Sequence, residues 1–384
     1  MPVSRLPYAL AAAALAAALA PALPAAAAPP ARGCANGGAS ADLLRVYAAA
    51  PSTTAAARQS PVGLRVASSQ VEMSSSRTTA TARALDGPLA APGTATEQAP
   101  PTPPGSGHQV GAAPVDVGDA KVGTGDLRAR ATWPAGYRCG SPAGPSASSS
   151  TALVDATVLP EPGGWSMVRV PRNVNSAADV GLSLRDRRAA TSVTARVGLG
   201  EVSVLDGTDA GVRVRVVSEP TLTATAGGTV ARSSVHYTAP VFEVIGKAGT
   251  RRLEVASQHL DIPVPPEALG SAVPAGAGSV VLRLSIGAVS QHVTGTSITA
   301  EAGTLRVQLL AGSDTLLDLG VGVLQVNAGA PADPPPAPAT LPGDGPTLPL
   351  TGVNAGWLVG IGVLIAIGGR LLLLLSRRRA RSGP

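Results

Sequence analysis

Between Ala41 and Asn327 apolar residues return at every second position, with hardly any recurrence at every third or fourth, and this period of two limits what the chain can fold into. In EVSVLDGTDAGVRVRVV, Val202 and Val204, then Val212, Val214 and Val216, alternate with Ser203, Arg213 and Arg215. The intervening Asp-Gly-Thr-Asp-Ala-Gly supplies turn chemistry, so this stretch predicts a hairpin. The same spacing recurs in SVVLRLSIG (Val280, Leu282, Leu284, Ile286), in TLRVQLLAG (Leu305, Val307, Leu309) and in TLLDLGVGVLQV (Leu317, Leu319, Val321, Val323). Weaker alternation marks 191–199, 222–226, 235–244 and 253–264, and earlier 64–73, 77–85, 119–133 and 152–159. Residues 41–50 suit either a strand or a short helix. Many short strands joined by Gly-rich turns predict a mainly β fold, an antiparallel sandwich or barrel-like ectodomain over 29–327, in one domain or two.

Proline interrupts this pattern twice. PLAAPGTATEQAPPTPPGSGHQVGAAP, residues 88–114, is polar and proline-rich and predicts a disordered, exposed insertion; 140–150 is a second possible seam. Residues 328–347 form a Pro/Ala-rich linker, which as polyproline II at about 3.1 Å per residue would reach ~60 Å across a wall.

The two ends read as addresses. Arg5, an Ala/Leu run from Leu10 to Leu23 and the small residues Ala25 to Ala28 make residues 1–28 a signal peptide with its own short helix, cut after Ala27 or Ala28. Pro21 and Pro24 break the run too early for a membrane span, and Arg32 before Cys34 fits a lipoprotein cleavage site badly. Residues 353–375 are apolar enough for a transmembrane helix of about 34 Å, with Arg370 able to snorkel. The tail arginines Arg377, Arg378, Arg379 and Arg381 act as a membrane stop and put the tail in the cytoplasm.

Just before this span stands Leu348-Pro349-Leu350-Thr351-Gly352. Pentapeptide, span and basic tail together, residues 348–384, resemble the LPxTG cell-wall sorting signal of sortase substrates. The resemblance implies that a sortase transpeptidase attacks the Thr351 carbonyl with its cysteine thiolate, releases Gly352 onward and passes the acyl group to a peptidoglycan amine. Pro349 fixes its own φ and biases Leu348 toward an extended form, which suits entry into a groove.

Net charge is +6, but one basic residue lies in the signal and five in the span and tail together, leaving 24 basic against 24 acidic side chains between. No basic footprint for nucleic acid remains. All basic residues of the ectodomain except Lys121 and Lys247 are arginine, and alanine abounds, which suggests a G+C-rich coding sequence. The two cysteines, Cys34 and Cys139, read in an exported protein as one disulfide, with two unpaired buried thiols as the other reading.

Chemistry is sparse. His259 and Asp261, two apart on a strand, share a face and with His236 or His292 could hold a metal; isolated surface polar residues are the plainer reading, and His108 reads as solvated. Asp206 and Asp209 sit in a turn, where aspartates are common, and Asp116, Asp119 and Asp126 among glycines could at most hold calcium weakly. The ectodomain aromatics are Tyr47, Trp133, Tyr137, Trp165, Tyr237 and Phe242, too few for a high-affinity lectin. Trp133 and Tyr137 beside Cys139 suggest packing at the disulfide, and Trp165 in PEPGGWSM suggests an exposed contact. Lys121 and Lys247 are the ectodomain's two lysines available for pilus-type polymerisation, and neither lies in a pilin motif.

The layout resembles actinobacterial wall proteins with an LAETG-type anchor, and more loosely exported domains carrying interchangeable C-terminal anchors; Pro349 and Leu350 stand where that family has alanine and glutamate. The expectation is a secreted surface protein anchored by sortase to a Gram-positive wall, with a structural or adhesin-like β module, no enzymatic activity and no cofactor. Its partners would be the sortase, peptidoglycan, the membrane before cleavage and an unknown extracellular ligand. The alternatives are a wall-tethered secreted hydrolase and a plain single-pass anchor.

Overall fold

In the computed structural model the described residues are 34–49, 62–87, 93–101, 107–141, 144–161, 164–172, 174–185, 188–269 and 278–331. They contain 24 strands and no α-helix. In chain order these are β1 (Asn36–Ala49), β2 (Arg65–Met73), β3 (Thr78–Asp86), β4 (Thr94–Ala99), β5 (His108–Ala112), β6 (Val115–Asp116), β7 (Ala120–Val122) and β8 (Gly125–Thr132). Next come β9 (Ser146–Leu153), β10 (Ala156–Pro160), β11 (Ser166–Val170), β12 (Val174–Arg185), β13 (Arg188–Gly198), β14 (Glu201–Asp206), β15 (Val212–Ser218) and β16 (Thr221–Ala226). The last are β17 (Ser234–Thr238), β18 (Val241–Gly246), β19 (Gly249–Leu253), β20 (His259–Val264), β21 (Val280–Ile286), β22 (Val289–Val293), β23 (Ser297–Ala311) and β24 (Asp314–Gly329).

All pairings are antiparallel. Sheet I runs β20-β21-β23-β24-β1-β2-β3-β4, with β22 also on β23; sheet II runs β17-β16-β13-β12-β9-β8-β5; sheet III runs β19-β18-β15-β14-β11-β10-β7-β6. Sheets II and III are two halves of one meander, because β5 continues into β6, β7 into β8, and so on to β17 into β18, each after a gap of two or three residues. The expected hairpin at 202–216 is β14–β15, with Val204 opposite Val212. Residues 41–50, open to either reading, lie mostly in β1, which pairs with β2 and β24.

Sheet I is creased along the same line at which II becomes III. In β1 the core positions run Ala39, Ala41, Leu43, then shift phase to Leu44 and Val46. The shift recurs in register in four neighbours: Ala67/Val66 in β2, Ala84/Leu85 in β3, Gly322/Val321 in β24 and Thr304/Leu305 in β23. Two of these residues adopt left-handed backbone, Gly322 at φ 68° and Ala67 at φ 48°. Such local reversals bend a strand and re-aim its side chains.

Side-chain size explains the crease. On one side the core is rich in alanine, with Ala39, Ala41, Ala80 and Ala82 from sheet I and Ala129, Ala147, Ala178 and Ala195 from sheet II set among larger residues such as Val71, Val193 and Leu324. There, Cα atoms of β2 and β9, or β1 and β12, approach within 8 Å, closer than the ~10 Å usual for stacked sheets. On the other side lie Leu305, Val307, Leu309, Leu317, Leu319 and, in sheet III, Val204, Val214 and Phe242. The buried side chains nevertheless form one continuous cluster through all three sheets.

The thin half is sealed by hydroxyls. Ser69 Oγ lies 2.8 Å from Ser176 Oγ and 3.2 Å from Thr151 Oγ1, and Thr151 donates to the Ser68 carbonyl at 3.0 Å, all between sheets I and II. Ser69, Thr151 and Ser176 thus satisfy one another across the layer, as burial demands, whereas the buried Ser149 hydroxyl has no hydrogen-bond partner among the described residues.

Three expectations need correction. The segment 88–114 is not one disordered insertion, since β4 and β5 lie within it. Ala95, Glu97 and Ala99 point inward, and Glu97 accepts from the Gly107 and Ala131 amides, both at 3.2 Å, completing the sheet II edge where β5 stops. Trp165 is half-buried and packs against the core rather than standing exposed. The linker begins later than 328, because β24 extends to Gly329 and Ala330 is buried. The expected signal peptide 1–28, most of the expected linker, the pentapeptide 348–352 and the expected span 353–375 with its basic tail lie outside the described residues. No helix among the described residues is long and apolar enough to cross a membrane.

Candidate functional site

Alternation that buries Ala39 and Ala41 turns Ser40 outward, and the same logic on five neighbouring strands builds a polar outer face on the thin half of sheet I. Register aligns two rows across β3, β2, β1, β24, β23 and β22. One reads Thr81, Gln70, Ser40, Gln325, Glu301, Ser290; the other reads Thr79, Glu72, Gly38, Asn327, Thr299, His292. Together they line a trough of about 600 Å³. Six strands at about 4.8 Å spacing make it roughly 24 Å long. Gly38 lowers its floor, since a Cβ there would press on the Val71 carbonyl at 3.0 Å.

The trough is open for hydrogen bonding. Ser40 donates to Gln325 Oε1 at 3.3 Å, while Gln70, Glu72, Thr299, Glu301, His292 and Asn327 make no side-chain hydrogen bond among the described residues. Among the described residues no lysine or arginine lines it, and Glu72 and Glu301 make it acidic.

At the crease end the next outward position on β1 is Asp42, opposite Ser68 and Val323. It is only 1 % exposed, lies 3.8 Å from Arg65 Nε, and its Oδ1 has no hydrogen-bond partner among the described residues. Burial raises its carboxyl above the usual carboxylate value, against the opposing pull of the Arg65 and Arg45 charges. Beside it the Arg45 guanidinium lies 5.6 Å from the Tyr47 ring centre, and Arg306 grips Asp318 with two hydrogen bonds.

The outer face of sheet II differs in sign. Arg128 and Arg130 on β8, Ser148 and Ser150 on β9, Asp179 on β12 and Arg196 on β13 line shallow clefts of about 380 and 430 Å³, with Arg196 3.5 Å from Asp179.

Cys34 and Cys139 form a disulfide, with Cα atoms 4.8 Å apart. Trp133 and Tyr137 meet edge to face, centroids 5.3 Å apart. The Asp261 carboxylate is held by Arg283 through two hydrogen bonds of 2.8 Å, which lowers its pKa, and no group of three His, Cys, Asp or Glu able to hold a metal occurs among the described residues. Asp116 is engaged by Lys121 at 3.0 Å and by the Gly118 amide, Asp206 pairs with Arg169 at 3.2 Å, and Asp209 lies 3.8 Å from Lys247. Lys121 and Lys247 are therefore both ion-paired in sheet III hairpins. His236 and His292 lie on β17 and β22. The sequence reading missed the trough, whose residues are scattered from 38 to 327; its one signal was amide, acid or hydroxyl at alternate positions of β1, β2, β3, β23 and β24. No protein-family model matches the chain, and searches of curated proteins and of solved structures found no match.

Proposed function

We propose that the chain is a surface-display protein: a disulfide-closed β body carried out of the cell, joined to the wall through Thr351 by a sortase-type transpeptidase and held off it by the proline-rich linker. One observation in the folded part supports a tethered body. The strand leading to the linker, β24, is central in sheet I, hydrogen-bonded along its length to β23 on one side and β1 on the other. Its end is fastened: Thr191 Oγ1 donates to the Gly329 carbonyl at 2.6 Å, the Ala330 amide to Thr296 at 2.9 Å, and Asn36, two residues after Cys34, lies opposite Gly329. Tension entering through the linker meets a strand held on both sides and a covalent staple close by. Within this reading the β body is an interaction module, and its trough is the contact site.

Fractionation of cells expressing the Thr351→Ala chain tests the attachment. The reading expects the native chain in the wall fraction, solubilised by muramidase, and the variant in the membrane fraction. Equal detergent extraction of both, with the tail intact, would support a plain membrane anchor instead.

A further inference from the structure

We infer that the trough on the outer face of sheet I binds a neutral glycan strand lying across the strands. The inference supplies the ligand of the display reading and rests on it for setting alone, since binding is measured on purified protein and wall attachment on cells.

Three observations carry it. The polar side chains of the floor are largely unpaired among the described residues, so amides such as Gln70 and Asn327 and carboxylates such as Glu72 and Glu301 offer both donors and acceptors. A ligand dense in hydroxyl groups can replace the water on such a surface bond for bond. Second, with two carboxylates and no lysine or arginine in the lining, the trough disfavours phosphorylated, sulfated or uronic polymers by like-charge repulsion. Third, the site is long, shallow and regular. Rows repeat at the strand spacing of about 4.8 Å, a repeat close to the advance of an extended pyranose chain per ring.

A protein partner fits less well. Protein contacts depend on buried aromatic or arginine anchors in a desolvated centre, and among the described residues the lining has no arginine and, apart from His292, no aromatic ring. The same lack of stacking rings makes each site weak. Many copies on one surface would add their binding, because each further contact is made at high effective concentration.

The test uses the full-length chain purified in detergent, with N-acetylglucosamine hexamer and cellohexaose as neutral probes, a sulfated hexasaccharide as anionic probe and an uncharged extended dodecapeptide. Binding is read by saturation-transfer NMR and calorimetry. A neutral probe should bind in the millimolar range or tighter, with little salt dependence. Paired Gln70→Ala and Gln325→Ala substitutions should weaken it about tenfold, the loss of one or two hydrogen bonds. Paired Arg128→Ala and Arg130→Ala substitutions on sheet II should leave it unchanged. Unaltered circular dichroism would show that the surface substitutions leave the fold intact. No neutral binding at millimolar concentration, equal loss in the sheet II variant, or preference for the anionic probe or the peptide would overturn the inference.

Discussion

Ser69 and Asp42 are buried polar residues of neighbouring strands with opposite fates. Ser69 has partners in Thr151 and Ser176, where the two sheets are closest. Valine there would remove those bonds and add volume to a layer already closer than usual, so Ser69→Val should lower stability by about 1–3 kcal/mol, read as a shifted urea midpoint. Asp42 is buried with one oxygen lacking a hydrogen-bond partner among the described residues, and burial holds its folded-state pKa above the usual carboxylate value. Between the unfolded and folded values the folded protein binds the extra proton, so stability contributed by this group falls as pH rises through that window and stays lost above it. Asp42→Asn should therefore be more stable than the native chain at pH 7, by about 1 kcal/mol, with the difference shrinking toward pH 3. Urea midpoints at the two pH values check this; a native chain as stable as the variant at pH 7 would contradict it. Neither residue was legible in sequence, because each reads as an ordinary polar alternate within its strand.

At the scale of elements, the period of two carried the reading a long way: β14–β15, β21, β23 and β24 lie where alternation put them. It failed where two rules compete. Prolines at 100, 101, 103 and 104 overrode the alternation of Thr94–Ala99 in a local reading, although the strand simply ends where they begin. The crease was invisible for another reason. Adjacent buried residues such as Leu43 and Leu44 read as a run within a strand, and only the aligned neighbours reveal a phase change. Gly322 is the residue of that line where a side chain is least tolerable, with left-handed backbone and Thr304 Oγ1 in the space of a Cβ. Gly322→Ala should cost about 2 kcal/mol or more, whereas Gly312→Ala, also left-handed but in an open turn, should cost about 1. Thermal unfolding of the two variants separates clash from backbone strain.

For the whole molecule, the disulfide joins the start of β1 to the loop after β8, 105 residues apart in sequence. On the chain-entropy argument it stabilises by roughly 4–5 kcal/mol, and paired Cys34→Ser and Cys139→Ser substitutions should lower the thermal midpoint by at least several degrees. A pair of cysteines in a chain read as exported made that link legible, whereas the trough needed six strands assembled before its rows existed. The proposed purpose draws on both levels: the ends of the sequence read as an address, and the described residues form a β body with a polar trough on sheet I. The address is tested most directly by mass spectrometry of the C-terminus after muramidase digestion of the envelope. The account predicts a terminal Thr351 joined to a wall-peptide amine; mature chains still carrying Trp357, in cells that process other sortase substrates normally, would contradict it.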